Sequence, residues 1–164
     1  MNSNWKQLFC LKIPAVPVGQ PRARATVRKF GNKVSAGVYD VRTIKCADGT
    51  KKPHPIVAFK ATIRHAVQAR YSGPPIDGPV KLHIQAIFPR PKSMIWKKRE
   101  MPRAMHLQKP DGDNLLKAVK DALNQLLWRG DCLVQTQICE KWIASGDEAP
   151  HVVLCVWTHE GERA

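Results

Sequence analysis

The sequence predicts an α+β fold in the order β-α-β-α-β-β, a mixed sheet of about four strands with helices packed on it. Three observations predict it. Val80, Leu82, Ile84, Ala86 and Phe88 alternate with Lys81, His83 and Gln85, which is the period of a half-buried strand. Ile56, Phe59, Ile63 and Val67 recur at helical spacing, as do Leu115, Val119, Ala122, Leu123, Leu126 and Leu127; each set forms one apolar helix face. Gly and Pro clusters punctuate the chain between these runs, so strand-helix-strand units follow one another.

Taken in order, Leu8 to Ile13 is the first strand, stopped by Pro14 and Pro17. Residues 19–55 read as a long irregular basic loop, with Val38 to Val41 as a short strand inside it. The first helix spans about residues 56–71 and ends at Ser72-Gly73-Pro74-Pro75. The alternating strand over residues 80–88 ends at Pro89 and Pro91. Residues 92–109 form a second basic, proline-punctuated connection centred on Lys97-Lys98-Arg99. Asp113 or Asn114, both good N-cap types, opens the second helix, and Gly130 marks its end. Strands follow at about residues 133–143 and 152–158, with a turn at Ser145-Gly146-Asp147. The chain, 1–164, reads as a single domain with no internal repeat.

Charge narrows the function. There are 27 Lys and Arg against 13 Asp and Glu, a formal net charge of +14, which suits a polyanion such as nucleic acid or an anionic membrane surface. No apolar run approaches the roughly 20 residues of a membrane span. Met1 to Gln7 lacks the pattern of a secretory signal, so a cytoplasmic protein is expected. The five cysteines form no Cys-x-x-Cys pair and the six histidines are scattered. They read as reduced, buried thiols rather than as disulfides or a zinc site.

Against this basic background, Asp111, Asp113, Asp121 and Asp131 fall within one short stretch. Hard divalent ions take carboxylate oxygens, usually one or two carboxylates with water and substrate phosphate. Asp111 and Asp113, two apart in a segment entering a helix, can face one side. The helix N-terminus would favour a phosphate beside them. Lys117 lies four residues after Asp113 on the same helical face, and Asp131 returns just past the helix. The chemistry this implies is Mg²⁺, with Mn²⁺ as the alternative ion, held by Asp111, Asp113 and Asp131. Lys117 would stabilise charge on a phosphate oxygen or orient water. Asp121 continues the stripe as the ion-pair partner that positions Lys117. The bland alternative is a helix cap, a surface ion pair and a turn residue.

Lys109-Pro110-Asp111-Gly112-Asp113-Asn114-Leu115-Leu116-Lys117, then Lys120-Asp121-Ala122-Leu123-Asn124, then Trp128-Arg129-Gly130-Asp131, resemble the signature of the RusA family of Holliday junction resolvases. Pro17-Val18-Gly19-Gln20-Pro21-Arg22-Ala23-Arg24 is similar to that family's early basic loop, and the likeness continues past Asp131 to Lys141. The resemblance implies a phage- or prophage-associated, Mg²⁺-dependent homodimer that cuts four-way DNA junctions by paired incisions. It assigns Asp111, Asp113 and Asp131 to the metal and Lys117 to catalysis. One departure is that many members carry two successive acids after the tryptophan, where this chain has Gly130-Asp131.

Arg22, Arg24, Arg28 and Lys29 in the first basic segment, Lys97, Lys98 and Arg99 (with Arg103) in the second, and Lys141 by the resemblance, are the candidate DNA contacts. Such contacts are salt-dependent and largely blind to sequence. Trp142 and Trp157 are expected in the core or a dimer interface, and Trp128 beneath the acidic site. Trp96 is expected either to pack or to stack on an unpaired base. Two rival functions remain: a branched-DNA-binding protein that does not cut, and a metal-dependent phosphohydrolase acting on nucleotides, for which the charge is excessive.

Overall fold

The structure is a computed structural model that describes residues 4–31, 33–39 and 41–159, the side chains of Arg28, Phe30 and Tyr39 excepted. A five-stranded mixed sheet carries two helices on one face. β1 (Trp5–Ile13), β6 (Val80–Phe88), β7 (Ala104–Met105), β8 (Val134–Ile143) and β9 (His151–His159) build the sheet in the order β1-β9-β6-β8-β7. β6 and β8 run parallel, with helix α2 (Gly112–Leu123) in the connection between them; the other pairings are antiparallel. The fifth strand beyond the expected four is the two-residue β7, too short to carry a period.

The alternation read in β6 is borne out. Val80, Leu82, Ile84 and Ala86 are buried, while Lys81, His83 and Gln85 are only half-buried on the opposite face. The buried set meets Ile56, Phe59, Ile63 and Val67 of α1 (Pro55–Arg70) and Leu115, Ala118, Val119, Ala122 and Leu123 of α2. Each fully buried aliphatic side chain contributes roughly 1.5–3 kcal/mol relative to exposure, so these two faces fix both helices on the sheet. The α1 start is well specified: His54 Nδ1 accepts from the Ile56 N–H at 3.1 Å and Pro55 takes the first turn.

The long loop expected over residues 19–55 is corrected. It contains two hairpins, β2 (Arg24–Phe30) with β3 (Lys33–Tyr39), and β4 (Thr43–Lys45) with β5 (Lys51–Pro53). These ribbons satisfy their backbone hydrogen bonds between their own strands and bury little, so no clean apolar period announces them. Gly49, at φ 83°, and the Asp48 side chain, which accepts from the Thr50 N–H at 2.9 Å, close the second turn. The strand expected at 38–41 overlaps β3, and Asp40 lies outside the described residues.

The second helix also differs from expectation. It begins at Gly112, with Asp111 at the cap position making no side-chain cap bond, and it ends at Leu123 rather than near Gly130. Gln125 adopts φ 62° and its N–H donates to the Trp128 carbonyl at 2.9 Å. The following turn is zipped to a distant residue: the Ile76 N–H donates to Leu127 and the Arg129 N–H to Ile76. Leu127 and Trp128 thereby reach full burial outside the helix.

The expectation of five reduced, buried thiols fails. Cys10 and Cys155 are bonded, because the β1–β9 register sets them directly opposite with Cα atoms 4.0 Å apart. Cys132 is exposed, and Cys46 and Cys139 are half-buried. Trp142 and Trp157 are half-buried on the open sheet face rather than in the core. Among the described residues no helix is long and apolar enough to cross a membrane.

Candidate active site

The acidic block is assembled by the start of α2, the turn after it and the N-terminal segment. Asp111 stands at the cap position, Asp113 in the first helical turn and Asp131 at the head of a short 3-10 turn leading into β8. Asp113, Lys117 and Asp131 line one cavity of about 200 Å³ with Leu116, Lys120 and Gln137. Asp111 lines a second, larger cavity of about 540 Å³, beside Arg22, His54 and Asn114. The structure thus unites three of the four expected site residues around one cavity, while Asp111 lines another.

The Asp111 and Asp113 side chains have no hydrogen-bond or ion-pair partner among the described residues. Asp131 is anchored: Oδ1 accepts from Trp128 Nε1 at 3.0 Å, and the indole is fully buried. Trp128 therefore packs beneath the acidic site, as expected. Among the described residues no three His, Cys, Asp or Glu side chains already converge on one point. The donor set nevertheless fits a hard cation, which needs only one or two carboxylates and completes its shell with water and phosphate. Asp113 and Asp131 would supply that pair, and the adjacent helix N-terminus favours an anionic ligand.

Lys117 is held as the sequence suggested, and by more. Its Nζ lies 3.1 Å from Asp121 Oδ1, while Asp121 Oδ2 takes Lys60 Nζ at 3.0 Å. Lys60 comes from α1, 61 residues away, and had no sequence signal. Its charge offsets Asp121, so the triad keeps one net positive charge for Lys117 to present. Arg64 Nη1, donating to the Ala122 carbonyl at 2.8 Å, ties the same two helices.

The approach to Asp111 is clamped from β8. Lys141 Nζ donates to the carbonyls of Gln108 at 2.7 Å and Pro110 at 2.9 Å, across the cis Lys109–Pro110 bond. Cys139 lies under the helix start near Gly112, and burial pushes its thiol up to about 11. Gly19 lets the N-terminal segment close over the block: a Cβ there would meet Pro110 Cβ at 2.5 Å. The Gln20 N–H donates to the Asn114 carbonyl at 2.9 Å. The two stretches that carry the resemblance are therefore in contact.

The basic residues are distributed. Arg22, beside Asp111, is exposed, as are Arg24 and Lys29 on β2 and Lys97, Lys98 and Arg99 in the second connection. The Arg28 side chain lies outside the described residues. Lys141 is half-buried with its ammonium on the two carbonyls. Trp96 is 42% exposed in the second connection.

A family model described as Endodeoxyribonuclease RusA matches residues 14–156. The chain is also 39% identical over 64 residues to the uncharacterized protein YqaN of Bacillus subtilis (strain 168), a match covering 36% of this chain and 45% of that protein. The chain thus spans less than half the length of that curated relative.

Proposed function

Because the chain belongs to the RusA endodeoxyribonuclease family, a family of hydrolases acting on DNA, we propose that it resolves four-way DNA junctions by Mg²⁺-dependent paired incisions. The observation that carries the reading is the shared cavity of Asp113, Asp131 and Lys117. Asp113 and Asp131 would hold the ion, with Asp111 as the further ligand. Mg²⁺ or Mn²⁺, when bound, supplies an activated water and neutralises phosphodiester charge.

Lys117 stabilises the negative charge that develops on the phosphate oxygen. Asp121 and Lys60 aim its ammonium, and Trp128 keeps the Asp131 carboxylate turned toward the cavity. Lys141 acts by holding the 108–110 segment that presents Asp111. Arg22, Arg24, Arg28, Lys29, Lys97, Lys98 and Arg99 contact phosphates along the junction arms. A homodimer with two-fold symmetry presents one site to each of two strands, matching the symmetry of the substrate.

A synthetic four-way junction and a matched linear duplex, each incubated with Mg²⁺ or EDTA, test this. Paired nicks confined to the junction, requiring Mg²⁺ and absent in Asp113→Asn, are expected. Tight junction binding without any cutting by the unmodified protein would replace the nuclease with a branched-DNA-binding function.

A further inference from the structure

The larger of the two cavities at the start of α2, about 540 Å³, is lined by Arg22, His54, Lys109, Asp111 and Asn114, among others. Its donors come from three segments that the fold pins together. Arg22 follows Gln20, whose N–H donates to the Asn114 carbonyl at 2.9 Å. Lys109 stands between Gln108 and Pro110, whose carbonyls both accept from Lys141. His54 caps α1: Nδ1 accepts from the Ile56 N–H, so the proton of the neutral ring lies on Nε2, which is left as a donor. The Arg22 and Lys109 side chains and His54 Nε2 have no hydrogen-bond or ion-pair partner among the described residues. Asp111 lines the same cavity without pairing to any of them, and Arg22 and Lys109 together outweigh its charge. His54 and Asp111 are also the cap residues of α1 and α2, so the positive ends of both helices add to the field there. Unpaired donors held in place by backbone contacts suit an anion with several acceptor oxygens, and Arg and Lys both bind phosphate well.

We propose that this cavity holds a backbone phosphate of the DNA strand being cut, next to the phosphate at the Asp113–Asp131 site, and that His54 donates its Nε2–H to it. The inference rests on the nuclease reading and deepens it. Asp111 and Asp113 are two residues apart and line one cavity each, so neighbouring phosphates of one strand can occupy the pair. Two held phosphates fix the direction in which the strand crosses the helix start, which a single phosphate does not. His54 thereby serves as the cap of α1 and as a DNA contact at once.

The test uses the full chain carrying Asp113→Asn, so that binding is read without cutting. Four-way junctions carry one uncharged methylphosphonate at successive positions along the cut strand. One position beside the cut bond is expected to weaken binding roughly tenfold or more, the loss of charge-assisted hydrogen bonds. That penalty should shrink by about threefold or more in His54→Asn, in Arg22→Gln and in Lys109→Gln, because each removes a donor to the same phosphate. Asn is among the best helix caps, so His54→Asn keeps the start of α1 and loses only the Nε2 donor. The two Gln variants remove no side-chain contact within the described fold. Penalties that are the same in all three variants overturn the subsite and leave the nuclease reading standing. Shrinkage in the Gln variants but not in His54→Asn overturns the assignment of His54. A coupled position at the cut bond itself places the scissile phosphate in this cavity and also overturns the proposal. A protein that does not bind the junction removes both readings.

Discussion

Trp128→Phe tests whether the buried indole serves the site or only the core. The substitution removes the Nε1 donor that lies 3.0 Å from Asp131 Oδ1. A hydrogen bond to a charged partner contributes about 1.5–3 kcal/mol. The smaller ring vacates about 40 Å³, which at about 24 cal/mol per Å³ adds about 1 kcal/mol. The expected destabilisation is therefore about 2.5–4 kcal/mol, within the 5–15 kcal/mol stability of an ordinary domain, so the variant folds. Ile63→Ala is the control: it is fully buried on α1, costs a comparable 2–5 kcal/mol or so, and lines neither cavity that holds the three acids. Urea unfolding followed by circular dichroism measures both losses. The Mg²⁺ midpoint for junction cleavage separates them. It should rise roughly 10–100-fold in Trp128→Phe, as when a ligand loses its orienting partner, and stay put in Ile63→Ala. An unchanged midpoint in Trp128→Phe would refute the anchoring role of Trp128, as would an equal shift in the control.

Further outcomes follow from other contacts. Lys141→Ala should cut junction cleavage by about tenfold or more, yet leave the salt dependence of DNA binding within about one phosphate contact of the parent; a purely phosphate-contacting lysine would show the reverse. Glu148 is held down to about 2 from 4.5, first by its hydrogen bonds from Arg103. Its contribution to stability is complete above about pH 4.5 and is lost as the pH falls toward 2, so Glu148→Gln should flatten that part of a stability–pH curve measured by denaturant. Alkylation mapped by mass spectrometry at pH 8 should label exposed Cys132 well before Cys139, whose thiol burial raises to about 11; equal rates would contradict the packing under Gly112.

Much of this architecture is legible locally. The alternation of β6 and the apolar stripes of α1 and α2 encode one buried face each, because a residue's burial repeats with the geometry of its own element. The acids and Lys117 are legible too, since their spacing around one helix start needs no distant partner. The ribbons of residues 24–53 escaped because an exposed hairpin buries too little to impose a period. The end of α2 escaped because it is decided by pairing with Ile76, far away in the chain.

By itself, then, the sequence determined the fold class, the two helix faces, the central strand and the acidic block. The tertiary structure alone decided which of these residues meet. It divided Asp111 from Asp113 and Asp131 between two cavities, brought Lys60 onto Asp121, and set Cys10 opposite Cys155. It also left the amide oxygens of Gln20 and Asn124 buried without a hydrogen-bond partner. The physical reason is common to all of them. Periodicity reports a side chain's direction relative to its own backbone, whereas a contact between residues far apart depends on sheet register and helix docking, which only the packed core resolves.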